Sequence, residues 1–473
     1  MFSNQSALLL HNPRQLNYGL AVTDVDGDGA FELIVAGFGY PNLVLKWNGA
    51  GFVNIATEAL ADPNRQAIGV AAADIDDDGR EEIYILNTDS FGGQKRLADR
   101  LFVFSDDDWL DLFSVSSNRA AINLTAGRSV AAVDRDGDGR YGFFVANYGG
   151  PMRLYELNED GEIADVAHQA GLSLVTGGRS LVALPLASER MDIFAGNENG
   201  PNFLFVNRGN GKYEEAARAY GLDDAFEHAR GVAVLDADGD GRFDLVCGNW
   251  EGPHRLFVQT SNASDGHFRE VAPPALAEPS RVRTVLAADF DNDGYEEIFF
   301  NNIDESNRLF GLREGHWTKL RIGDALEPEG LGTGAAVGDF DGDGRLELFV
   351  AHGESAPQPL TLYHTPKNGH HWLRVLPLTE QGAPARGAVV TVLAGGRTQR
   401  RAIDAGSGYL CQMEPVAHFG LGKASDIEQV EVRWLDGKIV TLNAPQADQL
   451  LRVSHPNRLD ADSKRRNKHG FSF

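Results

Sequence analysis

Apolar positions in this chain fall into short runs with a fixed order. A run of small apolar residues, such as Val130-Ala-Ala-Val133 or Val285-Leu-Ala-Ala288, precedes an acidic loop. After the loop comes a β-rich run, for example Ile83-Tyr-Ile-Leu86 or Ile298-Phe-Phe300. A turn leads to a third run: Asn42-Leu-Val-Leu45, Arg153-Leu-Tyr155, Asn202-Phe-Leu-Phe205, Arg255-Leu-Phe257 or Arg308-Leu-Phe310. The fourth run opens on an aromatic: Phe52-Val-Asn-Ile55, Tyr213-Glu-Glu-Ala216, Phe268-Arg-Glu-Val271. Short runs of this composition separated by turns read as β-strands. Four strands every ~40–50 residues is the pattern of a propeller blade, and radial closure removes long open edges.

The acidic loops set the period. They start at Asp24, Asp74, Asp134, Asp236, Asp289 and Asp339, spaced 50 to 60 residues apart except for one gap of 102. That gap is twice the period, so it hides a repeat. Gly178-Arg-Ser-Leu-Val-Ala-Leu-Pro185 followed by Asp192-Ile-Phe-Ala-Gly-Asn197 fills it, without an acidic loop. Seven repeats predict an all-β fold: a seven-bladed β-propeller over 1–368, followed by a small β domain. The seventh repeat ends its third strand at Leu360-Thr-Leu-Tyr363, and Phe2-Ser-Asn-Gln-Ser-Ala at the amino end is the expected closing strand. Residues 369–455 carry further strands, His371-Trp-Leu-Arg-Val375, Ala388-Val-Val-Thr-Val392, Gln399-Arg-Arg-Ala-Ile403 and Val430-Glu-Val-Arg-Trp434, which predict a small β-sandwich. Residues 456–473 are polar and read as a flexible tail.

Each loop has carboxylates at positions 1, 3 and 5, Gly at 6 and, in five of six, an acid at 9. The expected metal ligands are Asp24, Asp26, Asp28, Glu32; Asp74, Asp76, Asp78, Glu82; Asp134, Asp136, Asp138; Asp236, Asp238, Asp240, Asp244; Asp289, Asp291, Asp293, Glu297; and Asp339, Asp341, Asp343, Glu347. Alternate carboxylates in a tight loop converge on one point, and an all-oxygen set of this kind suits Ca2+ rather than zinc, copper or a largely hydrated Mg2+. An EF-hand would need Glu at position 12, where this chain has Val35, Ile85, Val145, Cys247, Phe300 and Val350. The third loop has Gly142 at position 9 and is expected to bind more weakly. The fourth repeat should be empty. About six calcium ions are thus expected.

Charge makes sense once these loops are counted. The chain of 473 residues has a formal charge of −25, and 23 of its 68 acids are loop ligands. Six divalent ions would bring the net charge to −13. The acidic balance argues against nucleic acid as a partner, and no apolar run approaches the ~18 residues of a membrane span. Two cysteines exclude a disulfide framework or a cysteine-rich zinc module. No basic and apolar leader precedes Pro13, so a cytoplasmic location stays open.

The loops resemble the FG-GAP or VCBS repeats of integrin α-subunits. A second stretch, Asp404-Ala-Gly-Ser-Gly-Tyr-Leu-Cys-Gln-Met-Glu-Pro-Val-Ala-His418-Phe-Gly-Leu-Gly422 followed by Val432-Arg-Trp-Leu-Asp-Gly437, resembles the ASPIC/UnbV domain. The combination is similar to the cartilage acidic protein family, over about residues 2–455. That resemblance implies secretion and calcium-loaded extracellular interaction work in animal members. Nothing after Ser454 resembles a cysteine-rich EGF-like extension, which points to a bacterial-type or truncated member.

If the metal loops join the first and second strands, the opposite face holds the strand mouths. Arg128, Arg179, Arg230 and Arg283 stand six residues before the loop start in four consecutive repeats, with Glu198, Asn249, His254 and His352 in nearby turns. Such a ring suits a carboxylate, phosphate or acidic protein loop. Alternatively, Glu198, Glu251 and Glu354 neutralise it internally. His418 reads as a catalytic base or as a structural histidine in a turn. The sequence contains no G-x-S-x-G and no C-x-x-C. The leading expectation is a calcium-binding interaction or ligand-binding scaffold, with a protein partner or acidic small ligand at the mouth. The alternative is a calcium-stabilised propeller enzyme of small-molecule (natural-product) metabolism acting at that mouth.

Overall fold

A computed structural model describes residues 1–260 and 268–458; the expected tail lies outside the described residues from 459 onward. Among the described residues, four-stranded antiparallel units follow one another along the chain, seven by strand pairing. In the first, Asn17–Thr23 pairs with Glu32–Gly37, then Leu43–Trp47, then Phe52–Asn54. The seven inner strands (Asn17–Thr23, Ala67–Ala73, Gly127–Val133, Val175–Leu184, Ala229–Leu235, Val282–Ala288 and Gly332–Gly338) pack side by side in chain order, and the last packs on the first. The result is a β-propeller architecture around a central channel.

The inner strands are apolar on both faces because each is covered by its neighbours in the ring and by material in the channel. Their small residues allow very close approach. A Cβ on Gly231 would lie 2.4 Å from the backbone nitrogen of Val285 in the next unit. In the last unit the amino-terminal strand Ser3–Asn4 pairs with Thr361–His364, and Phe2 packs edge-on against Phe290 at 4.9 Å. One feature was not expected. The second strand of the third unit runs on to Pro151 and pairs with the start of Val175–Leu184, joining units three and four into one eight-stranded sheet.

Beyond the propeller, two sheets face each other. His371–Pro377 pairs antiparallel with Ala417–Gly422 and parallel with Leu450–Val453. Arg397–Ala402, Val389–Ala394, Ile427–Arg433 and Ile439–Asn443 form the second sheet. Leu373, Val375, Val390, Val392, Phe419, Val430 and Val432 fill the space between them.

This sandwich caps the acidic-loop face of the propeller. Gly420 donates its N–H to Asp289 Oδ2 at 3.1 Å, Arg374 pairs with Asp339 at 3.1 Å, and Arg400 stacks over Phe243. Residues 404–413, between two of its strands, leave the sandwich and fill the channel. Backbone hydrogen bonds tie this segment to five inner strands: at Leu20 and Val22, Val70, Ala132, Ala183 and Val232. Gly19 makes room for it, since a Cβ there would meet Leu410 O at 2.2 Å.

Gln412, fully buried, is the polar pivot of the plug. Its side chain accepts from the Ala72 N–H at 2.8 Å and donates to Ala72 O at 3.0 Å and Ala405 O at 3.1 Å. Removing it leaves buried backbone groups unpaired, at ~1–3 kcal/mol each. Gln412→Ala is therefore expected to cost about 2–4 kcal/mol in denaturant unfolding; a loss under about 0.5 kcal/mol would show that the plug does not brace the ring.

Candidate metal centres and the arginine-lined mouth

Each acidic loop lies between the first and second strands of its unit and is shaped by its own carboxylates. The position-1 aspartate accepts backbone N–H groups from positions 4 and 6: Gly27 at 2.7 Å and Gly29 at 2.8 Å onto Asp24, and Asp77 at 2.7 Å and Gly79 at 2.9 Å onto Asp74. The position-9 acid reaches back to the N–H at position 2, as Val25 to Glu32 at 2.7 Å, Ile75 to Glu82 at 2.8 Å and Ala237 to Asp244 at 2.8 Å. Glycine at position 6 carries a positive φ, +87° at Gly29 and +94° at Gly79, which the turn requires.

The remaining oxygens converge. Ligand atoms lie within 4.8 Å of one another in Asp24/Asp26/Glu32, Asp74/Asp76/Asp78, Asp236/Asp238/Asp244, Asp289/Asp291/Glu297 and Asp341/Glu347/His364. Asp134, Asp136 and Asp138 occupy the corresponding loop of the third unit, without the fourth acid. Glu32 Oε1 is buried without a hydrogen bond and faces the Lys46 ammonium at 3.4 Å, so in this loop a lysine stands where a cation would.

The units differ in how the charge is met. In the second, burial pushes Glu82 up to about 9 and Asp74 up to about 7, with neighbouring carboxylates adding to the effect. In the first, Lys46 reaches Asp26, Asp28 at 2.6 Å and Glu32 at 3.4 Å. In the sixth, Arg313 meets Asp291 at 2.9 Å, Asp293 at 3.1 Å and Glu297 at 2.8 Å. In the seventh, His364 pairs with Glu347. Lys46 and His364 both stand on the third strand directly opposite the position-9 acid. In the fourth unit Asp192 is satisfied by Ala187 N–H at 2.8 Å, Ser188 N–H at 2.7 Å, Ser188 Oγ at 2.8 Å and Asn207 N–H at 2.8 Å, and the loop's other acid, Glu189, is exposed and pairs with Arg433 of the cap at 2.5 Å.

On the opposite face Arg128, Arg179, Arg230 and Arg283 converge on Tyr409, the tip of the channel plug. Arg179 donates to Tyr409 Oη at 3.2 Å and to Glu198 at 2.8 Å. Arg230 pairs with the other Glu198 oxygen, and Arg283 pairs with Glu354. Burial alone would raise Glu198, but the two arginines hold it at about 2. Burial would likewise raise the Tyr409 hydroxyl; the four arginines outweigh it and hold the hydroxyl below its ordinary value. Guanidinium faces stack on aromatics: Arg179 on Tyr148 at 4.7 Å, Arg283 on Trp250 at 5.0 Å, Arg128 near Phe91 at 5.2 Å. A cavity of about 350 Å³ opens above them.

Asn249, His254 and His352 do not line this cup. They close turns instead. The Asn249 side chain donates to Pro253 O at 2.8 Å, and its N–H donates to His254 Nδ1 at 3.1 Å. Burial pushes His254 down to about 3. His352 contacts Pro359 O and Glu327 at 3.0 Å each. Equivalent asparagines at 147, 197 and 302 also donate four residues ahead, so the recurrence of these polar residues answers to turn geometry. Glu251 is exposed in a left-handed turn, outside the ion pairs of the ring. His418 is buried on a strand rather than in a turn, 2.6 Å from Asn292. Cys247 and Cys411 are buried free thiols.

Fold and loops together define a β-propeller protein with acidic hairpin loops and a β-sandwich cap. Residues 24–85, 188–247, 236–300 and 289–350 match the FG-GAP-like repeat, and residues 379–460 match the ASPIC and UnbV family. The chain is 50% identical to cartilage acidic protein 1 of Homo sapiens over 483 residues, covering 94% of this chain and 73% of that one. It is 48% identical to the Xenopus tropicalis protein of the same name over 492 residues, covering 96% and 76%. The chain belongs to the cartilage acidic protein family. Among solved structures, the BP39L lectin from Burkholderia pseudomallei aligns with a TM-score of 0.47 at 14% identity, over 75% of this chain and 99% of that one. BBS1N in complex with ARL6DN aligns at 0.47 and 10% identity, over 78% and 98%. Neither likeness bears on function.

Proposed function

We propose that this protein is a calcium-braced, seven-bladed propeller scaffold that binds a partner or ligand at its arginine-lined mouth and works outside the cell. In this reading residues 1–368 are the propeller and 369–455 the capping domain. The observation that carries the calcium assignment is the convergence within 4.8 Å of three loop carboxylates in each of four units, one or two of them exposed or half-buried, and of Asp341 and Glu347 with His364 in the seventh. Such clusters repel strongly without a cation, and an all-oxygen cage suits Ca2+.

Bound there, the ion would supply charge neutralisation and hold each inner hairpin closed; among the described residues Asp74, Asp76, Asp78 and Glu82 have no basic ion-pair partner and are its best site. Lys46 and Arg313 compete with the ion in units one and six. Calorimetric titration of the full, chelator-stripped chain is expected to count between four and six calcium ions, the lower figure if those two side chains prevail. A count of zero refutes the assignment.

The enzyme alternative needs an unpaired Glu or His beside the arginines. Glu198 and Glu354 are both engaged there, and the plug floors the cup. These contacts favour a binding role.

A further inference from the structure

We propose that the mouth is a site for a dianionic oxyanion group, anchored by Arg128 and Arg283 above the Tyr409 hydroxyl. This rests on the reading of the mouth as the binding face and adds the chemistry of what it takes.

The argument is a charge balance among buried groups. Arg128, Arg179, Arg230 and Arg283 bring four positive charges to one channel end, where the first three are 8%, 2% and 5% exposed and Arg283 is half-buried. Two carboxylates answer them: Glu198, shared by Arg179 and Arg230, and Glu354 on Arg283. The other charged groups facing the cup cancel among themselves. Lys95 is paired with Asp99, and Asp89 at the rim is held by Arg96 at 2.7 Å. Two positive charges are left over.

Arg128 is the clearest case. Among the described residues it has no carboxylate partner, and its guanidinium donates to the carbonyls of Ser90, at 3.3 Å, and Phe91. Its Nε, like those of Arg230 and Arg283, is buried with no partner. Unpaired buried charge is expensive, and a protein that keeps it beside an open cavity has a donor set waiting for an anion. Consistent with the excess, burial and the neighbouring Arg179 push Arg230 down to about 10. The cavity of about 350 Å³ is at the small end of the range for ligand pockets. Phe38, Ile68 and the exposed Phe91 form an apolar wall on one side, and Tyr409 adds a hydroxyl on the floor.

The test is calorimetric titration of the calcium-loaded full chain with sodium sulfate, disodium succinate and sodium acetate at matched ionic strength, repeated on Arg128→Gln and Arg283→Gln. Saturable binding of sulfate or succinate is expected, at least tenfold tighter than acetate and at least tenfold weakened in Arg128→Gln. Preference for sulfate points to a sulfate- or phosphate-type ester, and preference for succinate to a dicarboxylate. Arg128→Gln removes an uncompensated buried charge, so without ligand it should melt no lower than the parent, which separates loss of binding from loss of fold. Arg283→Gln keeps the test alive if the first variant fails to fold. Equal binding of acetate overturns the dianion while leaving a site at the mouth. Binding unaffected by both variants, or no saturable binding, overturns the proposal and leaves the calcium-braced scaffold untouched.

Discussion

Stripping calcium from the full chain is expected to lower its melting temperature by roughly 11–16 °C, and adding it back to restore the transition. The size follows from linkage. An ion at 100 to 1,000 times its dissociation constant stabilises the folded state by about 2.7–4.1 kcal/mol per site. Four sites then supply roughly 11–16 kcal/mol, and a chain of this length shifts by about 1 °C per kcal/mol, from an unfolding entropy of ~2.1 cal/mol/K per residue. The stripped protein should also have an inverted pH dependence. Burial raises Glu82 to about 9, Asp289 to about 8, and Asp74, Asp134, Asp244, Glu32 and Glu347 to about 7. A carboxyl whose folded value is raised contributes stability that is present below its unfolded value near 4 and is lost as pH climbs through the folded value. The metal-free protein is therefore expected to melt higher at pH 5 than at pH 8.5. Calcium competes with those protons, so its stabilisation should grow over the same interval. Calorimetry at both pH values, with and without chelator, checks both statements. A melting curve indifferent to chelator would remove the structural role assigned to the ion.

How far the sequence reveals this molecule depends on the range of each interaction. The acidic loops were legible because Asp24 to Glu32 is a nine-residue unit whose ligands and turn glycine are neighbours in the chain. The strand order was legible for the same reason, through repetition. Lys46, Arg313 and His364 were not, since their approach to the carboxylates depends on the pairing of two strands, and no local pattern marks a lysine as facing a loop 14 residues away. The arginine ring was visible as an in-register recurrence, but its floor was not. Tyr409 reaches it from the far domain through the channel, in a segment of small and polar residues with no strand periodicity. Asn249, His254 and His352 were drawn to the mouth by recurrence alone, whereas their chemistry is spent on closing turns. Recurrence reports a shared structural need, and only the charge balance separates a binding group from a turn-closing one.

Breaking the Arg386–Glu81 pair is expected to release the cap from the propeller. Arg386 and Glu81 are 1% and 4% exposed, bonded at 2.7 Å and 3.3 Å. Glu81 also accepts the Thr23 hydroxyl at 2.7 Å, and the Tyr141 hydroxyl donates to Arg386 O at 2.8 Å. One residue of the sandwich thereby engages the second unit through its side chain and the third through its carbonyl, and Glu81 extends the contact to the first. Removing one partner of a buried pair strands the other charge, at about 3–5 kcal/mol, whereas replacing both with apolar residues of similar volume is often neutral. Arg386→Met should therefore unfold at lower denaturant, by about 3–5 kcal/mol, and Arg386→Met with Glu81→Leu should recover most of that loss. Because the plug is continuous with the domain that Arg386 anchors, the single variant should also speed amide exchange at Val70, Ala132 and Val232, whose N–H groups donate to the plug. If the single variant matches the parent in both stability and exchange, the pair does not hold the cap. If the double variant is as unstable as the single, the cost lies in lost packing around Arg386 rather than in the stranded carboxylate.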